Sequence, residues 1–247
     1  MLAMSHLLNK IVPMPLKVLL RRAADGLIPS LRHLDMGKRM KRLKALGVDP
    51  KVIYDVGAAR GEWSRFAHEL WPAARIVGVE PNERNVPLLD QVKRDLPAFD
   101  YRRAFLGPEK KVVKYVERDT QTSLVDNAGV SGAANAEAQM TTLDDVAAEL
   151  GAAPQLLKMD VQGFELEVLK GATRSLTGIE VILLEANFIR FGPQLPLAHE
   201  VIAFLAERGF VIYDVAGIYR RRVDDSLGQL DLIFVPEKSK LRASSEW

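Results

Sequence analysis

The chain has 247 residues, 48% of them hydrophobic, no cysteine and a formal net charge of +2. That length and apolar content give one sizeable α/β domain plus an extension, and they exclude a disordered chain, a disulfide framework and a thiolate metal site. Four scattered histidines without H-x-x-x-H spacing speak against a histidine metal site, which leaves carboxylate-only binding as the alternative to the expected absence of a metal, and no apolar run approaches the roughly 20 residues that span a bilayer.

Charge is unevenly distributed along the chain. Residues 1–44 carry ten Lys or Arg against two acids, whereas the remainder carries 24 basic and 30 acidic residues. The runs Leu16-Lys17-Val18-Leu19-Leu20-Arg21-Arg22 and Lys38-Arg39-Met40-Lys41-Arg42-Leu43-Lys44 predict a basic helical extension over 1–44, ahead of a main domain over 45–247. The favoured reading is a helical cap that buries Leu16, Leu19 and Leu20 and leaves a charged face in water. The alternative is weak contact with an anionic membrane surface. No signal-peptide pattern is present, so the expected location is cytoplasmic, with peripheral membrane contact as the variant. Aromatics do not interleave with the basic cluster, and no nucleic-acid partner is expected.

The run Val52-Ile53-Tyr54-Asp55-Val56-Gly57-Ala58-Ala59-Arg60-Gly61-Glu62-Trp63-Ser64 is the most informative in the chain. It reads as a strand, a tight turn and a helix N-terminus. In a doubly wound α/β fold such a turn lies at the carboxyl edge of the sheet, where ligands bind. Gly57 and Gly61 permit backbone angles and approaches that a Cβ would block. The pattern is D-x-G-x-x-x-G rather than the G-x-G-x-x-G of a dinucleotide site. An acid beside a pyrophosphate would repel it, while S-adenosylmethionine (SAM) carries an ammonium, a sulfonium and no phosphate. The next strand, Arg75-Ile76-Val77-Gly78-Val79, ends in Glu80-Pro81-Asn82, and Glu80 could accept hydrogen bonds from both ribose hydroxyls.

Residues 82–95 read as a helix in which Pro87 interrupts or kinks an early start. Phe99 to Leu106 reads as a third strand, and Val112–Val116 as an alternating strand in a hairpin beside the main sheet. Residues 119–139, rich in Thr, Ser, Asn, Gly and Ala, read as a long loop. Thr142 is an expected N-cap with Asp145 in capping-box position. Leu156-Leu157-Lys158-Met159-Asp160-Val161-Gln162-Gly163-Phe164-Glu165 is a second strand–turn–helix run, and the helix is expected over Glu165–Gly171. This fourth core strand would lie beside the first. Ile179–Glu185 then puts Glu185 at the end of a fifth.

These motifs resemble the FkbM family of SAM-dependent methyltransferases. The resemblance rests on Asp55-Val-Gly-Ala-x-x-Gly, Val79-Glu80-Pro81, Thr142-Leu143-Asp144-Asp145, Lys158-x-Asp160-Val161-Gln162-Gly163-x-Glu165-x-x-x-Leu169-x-Gly171-Ala172 and Glu185. It continues through His199-Glu200, Glu207-Arg208-Gly209-Phe210 and Gln229-x-Asp231-Leu232-x-Phe234, and so covers roughly residues 50–236. Ala59 departs from the family pattern, which commonly has Asn there. The resemblance implies a Rossmann-like class I methyltransferase fold, with a seven-stranded, mostly parallel sheet and helices on both faces. It also implies O-methylation of a hydroxyl on a sugar, glycan or other small molecule. The expected donor site comprises Asp55, Gly57, Ala58, Gly61, Trp63, Ser64, Glu80, Pro81 and Asn82, with Ala104 and Phe105 near the adenine edge and Ser123 and Leu124 as a Ser-Leu element near the donor. Asp160 and Glu185 are the candidate bases, Lys158 an orienting partner and His199 a further candidate base. The competing readings are an NAD(P)-dependent oxidoreductase and a non-catalytic SAM-binding module.

Overall fold

The computed structural model describes residues 35–117, 122–124, 136–190, 195–244 and 246. Leu16, Leu19 and Leu20 lie outside the described residues. The main sheet is built from β1 (Val52–Val56), β2 (Arg75–Val79), β3 (Phe99–Arg102), β8 (Leu156–Met159), β9 (Val181–Asn187), β10 (Phe210–Arg220) and β11 (Leu227–Pro236). Its order is β10-β11-β9-β8-β1-β2-β3. β11 runs antiparallel to both neighbours, and every other pairing is parallel. This is the expected seven-stranded, mostly parallel α/β sheet. Its order reverses between β1 and β8, the position at which open α/β sheets bind ligands.

Helices cover both faces, which is why the central strands are near-continuous apolar runs. On one face Tyr54, Val77, Leu157 and Ile182 pack with α4 (Leu143–Leu150), α5 (Glu165–Lys170) and α6 (Ala198–Ala206). On the other, Ile53, Ile76, Leu156 and Leu183 pack with α1 (Met36–Ala45), α2 (Glu62–Leu70) and α3 (Val86–Asp95). Alternate residues of one strand therefore serve opposite cores, as period-two geometry requires. Residues 35–44 of the basic extension belong to this second layer. Met40 and Leu43 of α1 are buried, while Lys41, Arg42 and Lys44 are exposed. Arg39 pairs with Asp214 of β10 at 3.0 Å.

A second sheet, ordered β4-β7-β5-β6, is inserted between β3 and α4. It comprises β4 (Phe105–Leu106), β5 (Lys111–Glu117), β6 (Thr122–Leu124) and β7 (Ala136–Thr141). The segment read as one third strand is thus two strands in different sheets. The segment read as a long loop ends in strand pairing at both sides. β7 contains Ala136-Glu137-Ala138-Gln139, poor intrinsic strand formers, and its pairing with β5 overrides that preference. Phe105, Val113, Tyr115 and Met140 form its core, with the Phe105 and Tyr115 rings 4.8 Å apart.

The helix starts match their sequence signals. Pro87 occupies the first turn of α3, where a missing N–H costs nothing, and a short 3-10 turn over Glu83–Asn85 precedes it. Thr142 caps α4 by accepting the Asp145 N–H at 3.0 Å. Asp144 beside it is buried and accepts from the backbone N–H groups of Arg174 and Ser175 at 2.8 and 2.7 Å. That acid ties two connections together and has a structural role.

Candidate active site

The β1–α2 turn is held from both sides. The Gly57 and Ala58 N–H groups donate to the Val79 carbonyl at 2.9 and 3.2 Å. Gly57 has φ +75°, and a Cβ there would stand 1.9 Å from the Asp160 carbonyl oxygen. The two ligand-edge turns, after β1 and after β8, thus touch through backbone at a place only glycine can occupy. Gly61 starts α2 in the left-handed region at φ +78°. Among the described residues three non-glycine positions have positive φ, and two of them, Ala59 at +46° and Gln162 at +56°, lie in these same turns. Such strain concentrates at ligand-binding loops.

Asp55 is fully buried, and its two oxygens have separate partners. Oδ2 accepts from Ser64 Oγ at 2.7 Å, and Oδ1 lies 2.9 Å from Lys158 Nζ. Lys158 also donates to the Gly57 carbonyl at 3.1 Å. Burial disfavours the Lys158 charge, but Asp55 and Asp160 beside it outweigh that, and its pKa lies above the usual lysine value. The expected orienting role of Lys158 thus takes a definite form: it neutralises Asp55 and pins the donor turn. Asp55 in turn is a scaffold for that turn, anchoring α2 through Ser64.

Glu80, at the end of β2, is also buried. Its Oε2 accepts from the Ala59 N–H at 2.8 Å and its Oε1 from the Asn82 N–H at 2.9 Å. Burial pushes its pKa up, while the backbone N–H groups hold it down and Asp55 adds a small upward push. A carboxylate has about four lone-pair sites, so both oxygens keep acceptor capacity for a ligand's hydroxyls. Asn82 caps the following turn by accepting from the Arg84 N–H at 2.9 Å. Pro81 is half-buried and Ala58 is a core residue. Trp63, half-buried, has an indole N–H with no hydrogen-bond partner among the described residues.

Asp160 is exposed at the end of β8, and its Oδ1 accepts from Gln162 Nε2 at 2.8 Å. Its N–H donates to the Val56 carbonyl at 3.0 Å, which continues the β1–β8 pairing. Glu165 is buried and caps the turn it closes, accepting from the N–H groups of Val161 and Gly163 at 3.0 and 3.3 Å. Burial raises its pKa to about 7.

Glu185 lies on β9 opposite Asp231 of β11. Burial, followed by the charges of Asp160, Glu165 and Asp231, pushes its carboxyl to about 8, against a smaller pull from Lys158. Its Oε1 accepts from Gln229 Nε2, which also donates to Asn187 Oδ1 at 2.9 Å. Asp231 accepts from the Tyr219 hydroxyl at 2.8 Å. Burial raises the Asp231 pKa despite that bond. The network of Asn187, Tyr219, Gln229 and Asp231 was not foreseen as part of the site. Its signal was the pair Gln229-x-Asp231 interrupting an otherwise apolar strand.

The remaining expected residues lie on other elements. His199 is exposed on the first turn of α6 and has no hydrogen bond to this network among the described residues. Ala104 is partly buried against the main core, and Phe105 is buried in the second sheet. Ser123 and Leu124 lie in β6 opposite Val116 and Tyr115. No group of three metal-ligating side chains occurs among the described residues. No helix among them is long and apolar enough to cross a membrane.

The donor set suits SAM. Asp55, Glu80, Asp160 and Glu185 lie toward the carboxyl ends of four adjacent strands, with the buried Lys158 paired to Asp55, and an edge with this excess of acids favours a sulfonium and an ammonium over a pyrophosphate.

The methyltransferase FkbM from Methylobacillus flagellatus KT is 19% identical with a TM-score of 0.48, and the match covers 74% of this chain and 43% of that one. This chain therefore spans less than half the length of that relative. A precorrin-6y C5,15-methyltransferase from Geobacter metallireducens GS-15 is 16% identical with a TM-score of 0.46, covering 80% and 86% of the two chains. A magnesium protoporphyrin IX methyltransferase from Synechocystis PCC 6803, solved with bound SAM, is 15% identical with a TM-score of 0.47, covering 81% and 77%. No match is found among curated proteins. The Methyltransferase FkbM domain matches residues 55–212, from the Asp55 turn through β9 and α6 into β10, and the chain belongs to that family.

Proposed function

We propose that this chain is a SAM-dependent O-methyltransferase acting on a hydroxyl of a sugar, glycan or other small molecule. The observation that carries the reading is the acidic ligand edge, with Asp55 and Glu80 at the donor turn, Asp160 just past the end of β8 and Glu185 near the carboxyl end of β9. The Gly57–Gly61 turn and Glu80 would hold the donor, which supplies an electrophilic methyl group when bound. Glu80 would accept from the ribose hydroxyls. Asp160 and Glu185 would face the acceptor. A carboxylate there would take the proton of the acceptor hydroxyl and hold its oxygen toward the bound donor's methyl group. Much of the rate enhancement would come from holding nucleophile and methyl group in line. The carboxyl of Glu185, held near 8, is a base matched to neutral or mildly alkaline conditions.

The test is calorimetry with SAM, S-adenosylhomocysteine and NAD, followed by donor turnover over a panel of hydroxyl compounds. The reading expects SAM and its demethylated product to bind, NAD not to bind, and turnover with at least one hydroxyl acceptor. NAD binding alone would sink it. Donor binding with turnover only on amines or carbon acids would overturn the O-methyl part.

A further inference from the structure

The antiparallel pairing of β9 and β11 places Gln229 opposite Asn187 and Asp231 opposite Glu185. Residues two apart on a strand share a face, so all four side chains rise from the same side of the sheet. This is the side on which Val181, Leu183, Ile233 and Val235 are core residues further down the same strands. The apolar face thus turns polar at the ligand edge. One amide group governs the change: the two N–H bonds of Gln229 Nε2 are divided between Glu185 Oε1 and Asn187 Oδ1. Asn187 is buried and holds the amide so that its donors face Glu185. The Gln229 oxygen has no partner among the described residues.

We propose that Gln229 is a positioning residue, which fixes the orientation and the ionisation of the Glu185 carboxylate for proton removal from the acceptor. The catalytic relevance rests on the function proposed above; the positioning itself does not. A side-chain amide held in this way suits the task because its N–H donates to the carboxylate and so favours the charged form without adding a charge of its own. The charged groups facing Glu185 are Asp160 and Lys158 from β8 and its end, Glu165 from α5, and Asp231 from β11. Tyr219 of β10 bonds to Asp231. Three of these neighbours are acids, so the carboxylate form of Glu185 needs a neutral donor, and Gln229 is the side chain that provides one. Removing it takes away a bond to a charged acceptor.

Carbon-13 NMR of protein labelled at the glutamate side-chain carboxyls measures this without an acceptor. The Glu185 resonance is assigned by its loss in Glu185→Gln. In Gln229→Leu its midpoint is expected to move up by about one pH unit, the size set by a lost hydrogen bond to a charged group. Gln229→Asn, with a shorter side chain but the same amide, is expected to shift it less. Thermal melts establish that each variant is folded, and if Gln229→Leu fails to fold, Gln229→Met and Asn187→Ala carry the same comparison. An unchanged Glu185 midpoint in folded variants overturns the proposal. Where an acceptor is found, the pH–rate profile of Gln229→Leu should move alkaline with the NMR midpoint. A shifted midpoint in a protein that turns over no acceptor would count against the proposed function and leave the positioning intact.

Discussion

At the scale of single residues, Ala59 shows how a family departure acquires a physical meaning. The family commonly has Asn at this position, and here Ala59 sits at φ +46°. The left-handed region costs an L-residue roughly 1–2 kcal/mol, and Asn and Gly adopt it more readily. Ala59→Gly is therefore expected to stabilise the fold by up to about 1 kcal/mol, offset in part by greater freedom of the unfolded chain. Thermal melts check this, and a lower melting temperature would show that the turn is not strained. Glu80 leads to a different expectation. It already bonds to the Ala59 and Asn82 N–H groups, so Glu80→Ala removes a loop tie together with a ligand acceptor. Glu80→Gln keeps one acceptor oxygen but sets its NH2 group against the Ala59 or the Asn82 N–H. It should weaken SAM binding by about 1.5–3 kcal/mol, the worth of bonds to a charged group, and lower stability by about 1–3 kcal/mol through the unsatisfied N–H. Calorimetry showing parental affinity in a folded Glu80→Gln protein would remove Glu80 from the donor site.

At the scale of elements, the contact between the β1–α2 and β8–α5 turns explains why Gly57 matters. A Cβ at Gly57 meets the Asp160 carbonyl oxygen before any ligand is considered. Gly57→Ala should thus cost more than about 1 kcal/mol, since Ala is strained at positive φ and the opposing backbone must also move. The expected signature is loss of melting temperature together with loss of SAM affinity; a variant with parental stability would refute the contact. Much of this architecture was legible in the chain because β1, β2, β8 and β9 are buried on both faces, read as apolar runs, and end near acids. The N-cap at Thr142 and the first-turn Pro87 were legible because capping is local chemistry. Two things were not. β7 is stabilised by its pairing with β5 rather than by its own Ala, Glu and Gln. The Gln229–Glu185 bond joins residues 44 apart, through a strand register that no local pattern reveals. Asp55 reads in the sequence as a partner for the ligand's cations, and its pairing with Lys158 and Ser64 inside the fold was not legible there.

At the scale of the whole molecule, the ligand edge makes stability depend on pH. Glu185 is raised to about 8 and Glu165 to about 7, both chiefly by burial, and Glu80 and Asp231 are raised as well. A carboxyl whose folded pKa exceeds its unfolded value binds more protons in the native state between the two. Its favourable contribution is complete below the unfolded pKa of about 4.3 and is lost as pH rises through the folded pKa. Surface acids such as Asp95 and Asp145 are held below their ordinary range by hydrogen bonds, from Arg65 and from Thr142 respectively, and their contributions change only on the acid side of this window. Stability should therefore fall from about pH 5 to about pH 8, each fully coupled group contributing at most about 1.4 kcal/mol per pH unit. Glu185→Gln keeps a hydrogen-bonding side chain of similar shape without the charge. It should flatten this slope and melt higher than the parent on the alkaline side, while differing little near pH 5. Melting curves of both proteins across that range test the expectation. Parallel slopes would mean that Glu185 ionises freely in the folded chain, and the carboxylate cluster would then lose its claim to hold a proton-accepting group near neutrality.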